Sequence, residues 1–509
     1  MLSLPTVTVG LTEELTNLLL VGALVLLVSV AAVRLATRSG LPTLLLYLAI
    51  GMALGEAGFG ISFENSALAH SIGLGALVLI LSEGGLTTEW DDIKSAILPA
   101  ALLSTIGVVV SVAVVAGAAY YLLDLPWSIA LLLGAILAST DAAAVFSVLR
   151  RVPLPRRLSG VLEAESGFND APVVLLVVAL ASQATPGVEH QGWWVVGVEA
   201  ALELAGGAII GLVLGQVLGR LLRWVAPGSS GLFSLAVVAV TVLAYAVGDL
   251  LHSSGFLATY VCALVLGNLK LPHRQAFRGI SQAFGWLAQI GLFVMLGLLA
   301  SPGRLVDQII PALVIGTVLL LVARPLSVLA SLAGSDYTLR EQAFLSWSGL
   351  RGAVPVVLAT VPLTLDTPGT SWMFDLVFVL VIIFTLVQAP TLPWITRVLG
   401  LEQGTPTYDV DVESTALDDL DAHLLQASIG PASKLHGVEV FELRLPPGAD
   451  VTLIVRDGDS FVPERRTVLR HGDQMLVVTT AQSRSAALKR IQAISRDGRL
   501  AGWHSSGEG

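Results

Sequence analysis

Thirteen stretches of about twenty predominantly apolar residues follow one another through the first four hundred positions, and that succession decides what the chain can fold into. They run 17–36, 42–60, 67–87, 97–122, 127–149, 161–182, 195–220, 232–249, 254–270, 282–300, 307–331, 341–363 and 372–396. A bilayer core is crossed by about 20 apolar residues in a helix. Inside it a helix satisfies its backbone polar groups within its own segment. The composition agrees, with 54% hydrophobic and 13% charged residues, where a soluble domain carries roughly 25% charged. The expectation is an all-α polytopic membrane protein of about thirteen transmembrane helices. The net charge of −10 argues against a nucleic-acid partner. The single cysteine, Cys262, has no partner for an intrachain disulfide. The first 16 residues hold no Lys or Arg, so the first apolar run reads as a span and not as a cleaved signal peptide.

Basic residues sort onto alternate loops. Fifteen fall on one side, from Arg34 and Arg38 through Arg150, Arg151, Arg156 and Arg157 to Arg324, Arg340 and Arg397, and only Arg304 on the other. By the positive-inside rule the N-terminus lies outside and the C-terminus in the cytoplasm, as expected for a bacterial cell inner membrane. Residues 1–400 form the membrane domain. The acidic stretch 401–429 reads as a cytoplasmic linker. From 430 to 496, short runs rich in Val, Leu and Phe alternate with Pro-Pro-Gly, Asp-Gly-Asp and His-Gly-Asp turns, and "SAALKRIQAI" follows as a helix. That is a small α+β cytoplasmic domain. Residues 497–509 read as a disordered tail.

Three spans carry charge at depth. "VLEAESGFNDAPVVLLVVAL" holds Glu165, Ser166, Asn169 and Asp170; "ASTDAAA" interrupts the fifth span with Thr140 and Asp141; "SGLRGAVP" interrupts the twelfth with Arg351. An intramembrane charge marks a pathway or a paired site. One arginine cannot neutralise three carboxylates, so a proton or a cation must neutralise the remainder. Ser166 and Asp170 share a helix face at i,i+4, and Glu165 and Asn169 share the next. The reading is that Asp170 and Ser166 offer oxygens to an ion while Glu165 pairs with Arg351. Asp141 serves either as an ion ligand or as a partner of the helix break. Two interrupted spans seven apart point to inverted repeats with a transport site between them. A proton and a cation exclude one another on a single carboxylate, and that competition is all an antiporter needs. A cation channel would need a filter-like run, such as Thr-Val-Gly-Tyr-Gly, that is not found. An intramembrane enzyme would need a motif such as His-Glu-x-x-His or Gly-x-Ser-x-Gly, also not found. Glu83 reads as an interfacial anchor, Asp249 and His252 as a solvated loop, and Cys262 as apolar filler.

In order and spacing, "STDAAAVFSVL", "EAESGFND" and "SGLRGAV" resemble the monovalent cation:proton antiporter-1 family, in its NhaP-type potassium/proton subgroup. The resemblance covers roughly residues 15–400. It implies the NhaA/NhaP-like antiporter fold with two broken crossing helices, a homodimer, and alternating access by an elevator-like shift. It implies an ion or proton site at Asp170, Ser166, Asn169, Thr140 and Asp141, with a monovalent cation held by Asp170, Ser166 and the Thr140 carbonyl. Glu165 and Arg351 match the family's core ion pair. An Asn-Asp pair resembles sites that exchange one ion for one proton. The implied activity is K+ for H+, with Na+ or Li+ for H+ as the alternative, serving pH homeostasis and cell-volume regulation. No cofactor is expected. Ala142 stands where many members have proline, which makes the break at that point gentler. The tail "GVEVFELRLPPGADVTLIVRDGDSFVPERRTVLRHGDQMLVV" resembles the RCK-C or TrkA-C module of potassium-conductance regulators, which senses small ligands or nucleotides. No Gly-rich dinucleotide-binding unit precedes it here, so NAD is not implied.

Overall fold

The computed structural model describes the chain apart from residues 1–5, 40–41, 57, 62–64, 150–153, 185–191, 226–227, 402–409, 418–421, 432, 481 and 501–509. It forms two compact units, Met1–Leu271 with Ala276–Leu401, and Pro272–Gln275 with Glu402–Gly509.

Among the described residues the first unit holds eight helices long and apolar enough to cross a membrane and five shorter apolar ones, which match the thirteen apolar runs. In chain order they are α1 (Thr6–Ser39), α2 (Thr43–Leu54), α3 (Ser66–Thr87), α4 (Ile97–Leu122), α5 (Trp127–Ile136 and Ala142–Leu149), α6 (Arg156–Ala184), α7 (Trp193–Val225), α8 (Ser230–Leu250), α9 (Gly255–Asn268), α10 (Arg274–Leu299), α11 (Pro302–Ser331), α12 (Leu339–Trp347 and Ala353–Leu358) and α13 (Met373–Val398). Irregularities recur in matching places. α4 and α11 each contain one π-helical turn, Leu103–Gly107 and Leu319–Ala323. Each is followed by a broken helix, α5 or α12. A shift of seven spans reverses direction through the membrane, so the two sets are related as inverted repeats are.

The apolar interior is divided. One cluster runs through α2–α6 and α9–α13. A second joins the end of α3 to α7, α8, α9 and the start of α10. Within the second, α7 and α9 approach closely along a row of glycines four residues apart. A Cβ at Gly211 would lie 2.5 Å from the Ala258 carbonyl, and one at Gly215 would lie 2.9 Å from Val265 Cβ. Small residues at this spacing let helices pack where lipid offers no hydrophobic drive. Cys262 is fully buried in the same cluster, a small apolar filler.

The second unit is a five-stranded antiparallel sheet in the order β1-β2-β5-β3-β4, with β1 Val410–Leu417, β2 Ala422–Ile429, β3 Ala449–Arg456, β4 Asp459–Phe461 and β5 Gln474–Thr480. Helix α14 (Arg484–Asp497) lays Ala487, Ile491 and Ile494 against Leu425, Ala427, Met475 and Val477. This corrects the reading of 401–429 as a linker. β2 alternates inward at Leu425, Ala427 and Ile429, and β1 pairs with it along its whole length. The acidic residues of β1 masked the period-two pattern. The expected disordered tail falls, from 501 onward, outside the described residues.

One buried charge holds the turn before β5. Asp473 is fully buried, accepts from Arg456 Nε and Nη2 at 2.7 Å each, and accepts the Arg470 N–H at 2.8 Å. This pairing raises the Arg456 guanidinium pKa above its ordinary value. Asp473→Ala is expected to cost the sheet about 2 kcal/mol. In the full chain this should appear as faster tryptic cleavage after Arg465 and Arg470, with the membrane helices left intact on the gel.

Candidate functional site

A broken helix leaves carbonyls without partners at the end of one half and N–H groups without partners at the start of the next. In α5 the break covers 137–141, in α12 it covers 348–352, and the two breaks satisfy each other. The Asp141 N–H donates to the Leu350 carbonyl at 2.8 Å. Arg351 Nη1 donates to the carbonyls of Ala138 at 3.1 Å and Ser139 at 2.5 Å. Asp141 Oδ1 accepts from the Ala144 N–H at 3.2 Å. A cation thus sits at the carbonyl end of one half-helix and a carboxylate at the N–H end of the other, as helix dipoles favour. Gly352 is required at the crossing, because a Cβ there would fall on the Asp141 carboxylate.

α6 passes beside the crossing and presents its polar residues to it. Ser139 Oγ donates to Asp170 Oδ1 at 2.7 Å, and Ser166 Oγ donates to the Thr140 carbonyl at 3.3 Å. Asn169 Nδ2 donates to the Ala138 carbonyl at 3.2 Å and to Thr140 Oγ1 at 3.3 Å. Asn169 Oδ1 is buried without a hydrogen-bond partner. Pro172, inside α6, lacks the N–H that would have bonded the Phe168 carbonyl. Asp170, Ser166, Asn169, Thr140 and Asp141 are therefore gathered at one place. Asp141 acts there as a helix cap.

The core ion pair is not the one expected. Glu165 is held by Arg324, with Nη1–Oε1 at 2.6 Å and Nη2–Oε2 at 2.9 Å. Both side chains are almost wholly buried. Arg351 is engaged instead by the carbonyls of the α5 break. Arg324 follows the π-turn of α11, which carries it inside the bundle, so it does not belong with the loop residues counted for topology. It was hidden by its place near the end of an apolar run. The signal available was its position between Ala323 and Pro325 with no other charge nearby. Ser139, the hydroxyl on Asp170, was also missed, although it adjoins Thr140 in "ASTD". Further hydroxyls converge on Glu165: Thr140 Oγ1 lies 3.5 Å from Oε1, and Ser104 Oγ, in the π-turn of α4, donates to its carbonyl at 3.3 Å.

Asp170 is left over. It is 7% exposed, and among the described residues no Lys, Arg or His forms an ion pair with it. A cavity of about 1050 Å³ reaches to Ser104 and to Pro172, which lies two residues beyond Asp170 along α6. Its walls include His70, Val174, Val178 and Ser182, and also Glu199, Glu203, Asp249 and His252. Asp249 and His252, read as loop residues, stand on its wall. Glu83 is not at the crossing; it packs beside Gly285 of α10.

Comparison with known proteins gives a family and a fold. The sodium/hydrogen exchanger transmembrane region matches residues 23–398, and the TrkA-C domain matches residues 424–492. The chain is 36% identical over 472 residues to the K(+)/H(+) antiporter NhaP of Alkalimonas amylolytica, covering 92% of this chain and 82% of that protein. It is 33% identical over 480 residues to the K(+)/H(+) antiporter NhaP2 of Shewanella oneidensis, covering 93% and 83%. The structure of the sodium proton antiporter MjNhaP1 from Methanocaldococcus jannaschii at pH 8 superposes with a TM-score of 0.66 at 22% identity. That match covers 76% of this chain and 99% of that one.

Arg324→Ala leaves Glu165 buried without its cation, a loss of about 3–5 kcal/mol. Arg351→Ala removes hydrogen bonds to carbonyls and is expected to cost less. Scanning fluorimetry of the purified variants in detergent should rank Arg324→Ala as the less stable. The reverse order would mean that Arg351 carries the pair.

Proposed function

This chain belongs to the sodium/hydrogen exchanger family and is a cation/proton antiporter, a transporter and not an enzyme; on that premise we propose that it exchanges cytoplasmic K+ for H+, one for one, across a bacterial inner membrane. The observation that carries the reading is the burial of Asp170 without a basic partner. Both buried arginines among the described residues are engaged elsewhere, one by Glu165 and one by the α5 carbonyls. The Asp170 carboxylate therefore has to be neutralised by what it carries. A proton does so by covalent attachment. A monovalent cation does so with help from oxygens, for which Ser166 Oγ, the Thr140 carbonyl and the unpartnered Asn169 Oδ1 stand ready. Ser139 steadies the carboxylate through its hydroxyl. Because one carboxylate accepts one or the other, loading K+ releases H+.

Potassium is favoured over sodium by the names of the relatives at 36% and 33% identity. The TrkA-C domain, which resembles modules of potassium-conductance regulators, points the same way. We assign that domain a regulatory role toward a small cytoplasmic ligand or nucleotide. The chain would work as a homodimer with its N-terminus outside and its C-terminus in the cytoplasm. One-for-one exchange follows from the neutral Asn169 beside Asp170, which leaves a single titrating carboxylate in the pair. That exchange serves pH and cell-volume control.

In proteoliposomes with an imposed pH gradient and a pH-reporting dye, K+ should dissipate the gradient at lower concentration than Na+. Clamping the voltage with an ionophore should leave the rate unchanged. Preference for Na+ would overturn the substrate assignment, and cation current without proton movement would restore a channel. Asp170→Asn, which keeps shape but neither binds a proton nor carries charge, should reduce exchange to the level of protein-free vesicles while the protein elutes as the parent does.

A further inference from the structure

One row of α6 is open along half its length and sealed along the other half. Val174 and Val178 line the cavity, which on α6 begins at Pro172, two residues from Asp170. The same row continues backward, at helical spacing, through Gly167, Glu163 and Gly160, and there it is closed. A Cβ on Gly167 would fall within the ring of Tyr260 of α9. One on Gly160 would fall on the Asp92 carbonyl, in the segment after α3, with Ala96 Cβ 3.5 Å away. Between these two close approaches, among the described residues, lies a polar contact: Thr88 Oγ1, at the end of α3, donates to Glu163 Oε1 at 2.5 Å, with the Gly84 carbonyl 2.8 Å from the same hydroxyl. Thr88 is itself well fixed. Its N–H donates to the Gly84 carbonyl at 3.0 Å, and Asn268 Nδ2 of α9 donates to its carbonyl at 3.0 Å. Glu163 lies seven residues before Asp170, two turns down the same face.

We propose that the Thr88–Glu163 hydrogen bond is the latch that closes the side of Asp170 opposite the cavity, and that it must break for the site to open to that side. The glycine contacts on either side are non-directional, so they set how closely α6 approaches without fixing its position along its axis. A hydrogen bond to a carboxylate is short and directional, so it registers α6 against α3 in this one state. Glu163 thus acts as a positioning residue for the exchange cycle. The proposal rests on the antiport reading for its purpose, and its test does not depend on flux.

The test uses the full chain in liposomes, with Cys262→Ser to remove the one native cysteine. Two single reporter substitutions are added separately: Ser182→Cys on the cavity wall and Ala96→Cys within the seal, where Ala96 is fully buried. Labelling is by a membrane-impermeant maleimide applied to both faces. In the latched protein the reporter at position 182 should label and the one at position 96 should be protected. Thr88→Val, which keeps shape and removes the donor, should raise labelling at position 96 on the order of tenfold and lower that at position 182. Glu163→Ala, breaking the latch from the other side, should do the same if Thr88→Val fails to fold. Thr88→Ser, which restores the hydroxyl, should return the parent pattern, and Glu163→Gln, which keeps an acceptor oxygen, should lie close to it. Unchanged labelling in Thr88→Val and Glu163→Ala, or a Thr88→Ser variant that labels as Thr88→Val does, would overturn the latch. A silent flux assay with the labelling shift intact would count against the substrate assignment alone.

Discussion

The ion pair between Glu165 and Arg324 is the contact on which the rest of the membrane unit depends. A carboxylate and a guanidinium this deeply buried are tolerable only together, since either alone would be an uncompensated charge out of water. The pair therefore forces α6 and α11 to meet at one register. The neighbouring irregularities serve that register. The π-turn of α11 delivers Arg324, the π-turn of α4 delivers Ser104 to the Glu165 carbonyl, and the break in α5 delivers Thr140 to its carboxylate. π-turns are often found at functional positions, and here each has a stated partner.

With Glu165 taken, the second arginine is available for a different task. Arg351 neutralises the carbonyl end of the first half of α5, and Asp141 caps the N–H end of the second half. The crossing is closed electrostatically by its own residues. Asp170 stands just outside this closed set, held by one serine hydroxyl and by no basic side chain among the described residues. A carboxylate in that position is unfavourable to leave bare. The two arginines thus leave Asp170 without a basic partner among the described residues.

Packing around the site is graded in firmness. The α7–α9 contact is set by a glycine row at four-residue spacing, which fixes how closely the two helices approach. The contact of α6 with α3 and α9 combines two glycine approaches with one hydrogen bond, and beyond Asp170 it gives way to open space. One surface of α6 is thus closely packed along one half and borders a cavity along the other. In the other unit, Asp473 and Arg456 play the part that Glu165 and Arg324 play in the membrane, a charge pair fixing the turn that starts a central strand.

Span number, the two breaks, the cluster Thr140, Asp141, Ser166, Asn169 and Asp170, and the nature of the C-terminal domain were all legible in the sequence. They follow from local properties: apolar length, glycine and proline inside apolar runs, and i,i+4 spacing on one helix. The partner of Glu165 was not legible, because two arginines in later spans could each have reached it. Which one does depends on a π-turn that shifts Arg324 inward, and no local pattern announces that turn. Strands β1 and β2 were missed because acidic residues on an edge strand look like a solvated linker until a neighbouring strand is present to pair with them. Sequence by itself determined that this chain crosses a membrane many times and carries uncompensated acid at depth. Tertiary structure alone decided which acid is compensated, since charge pairing is a matter of distances between segments far apart in the chain.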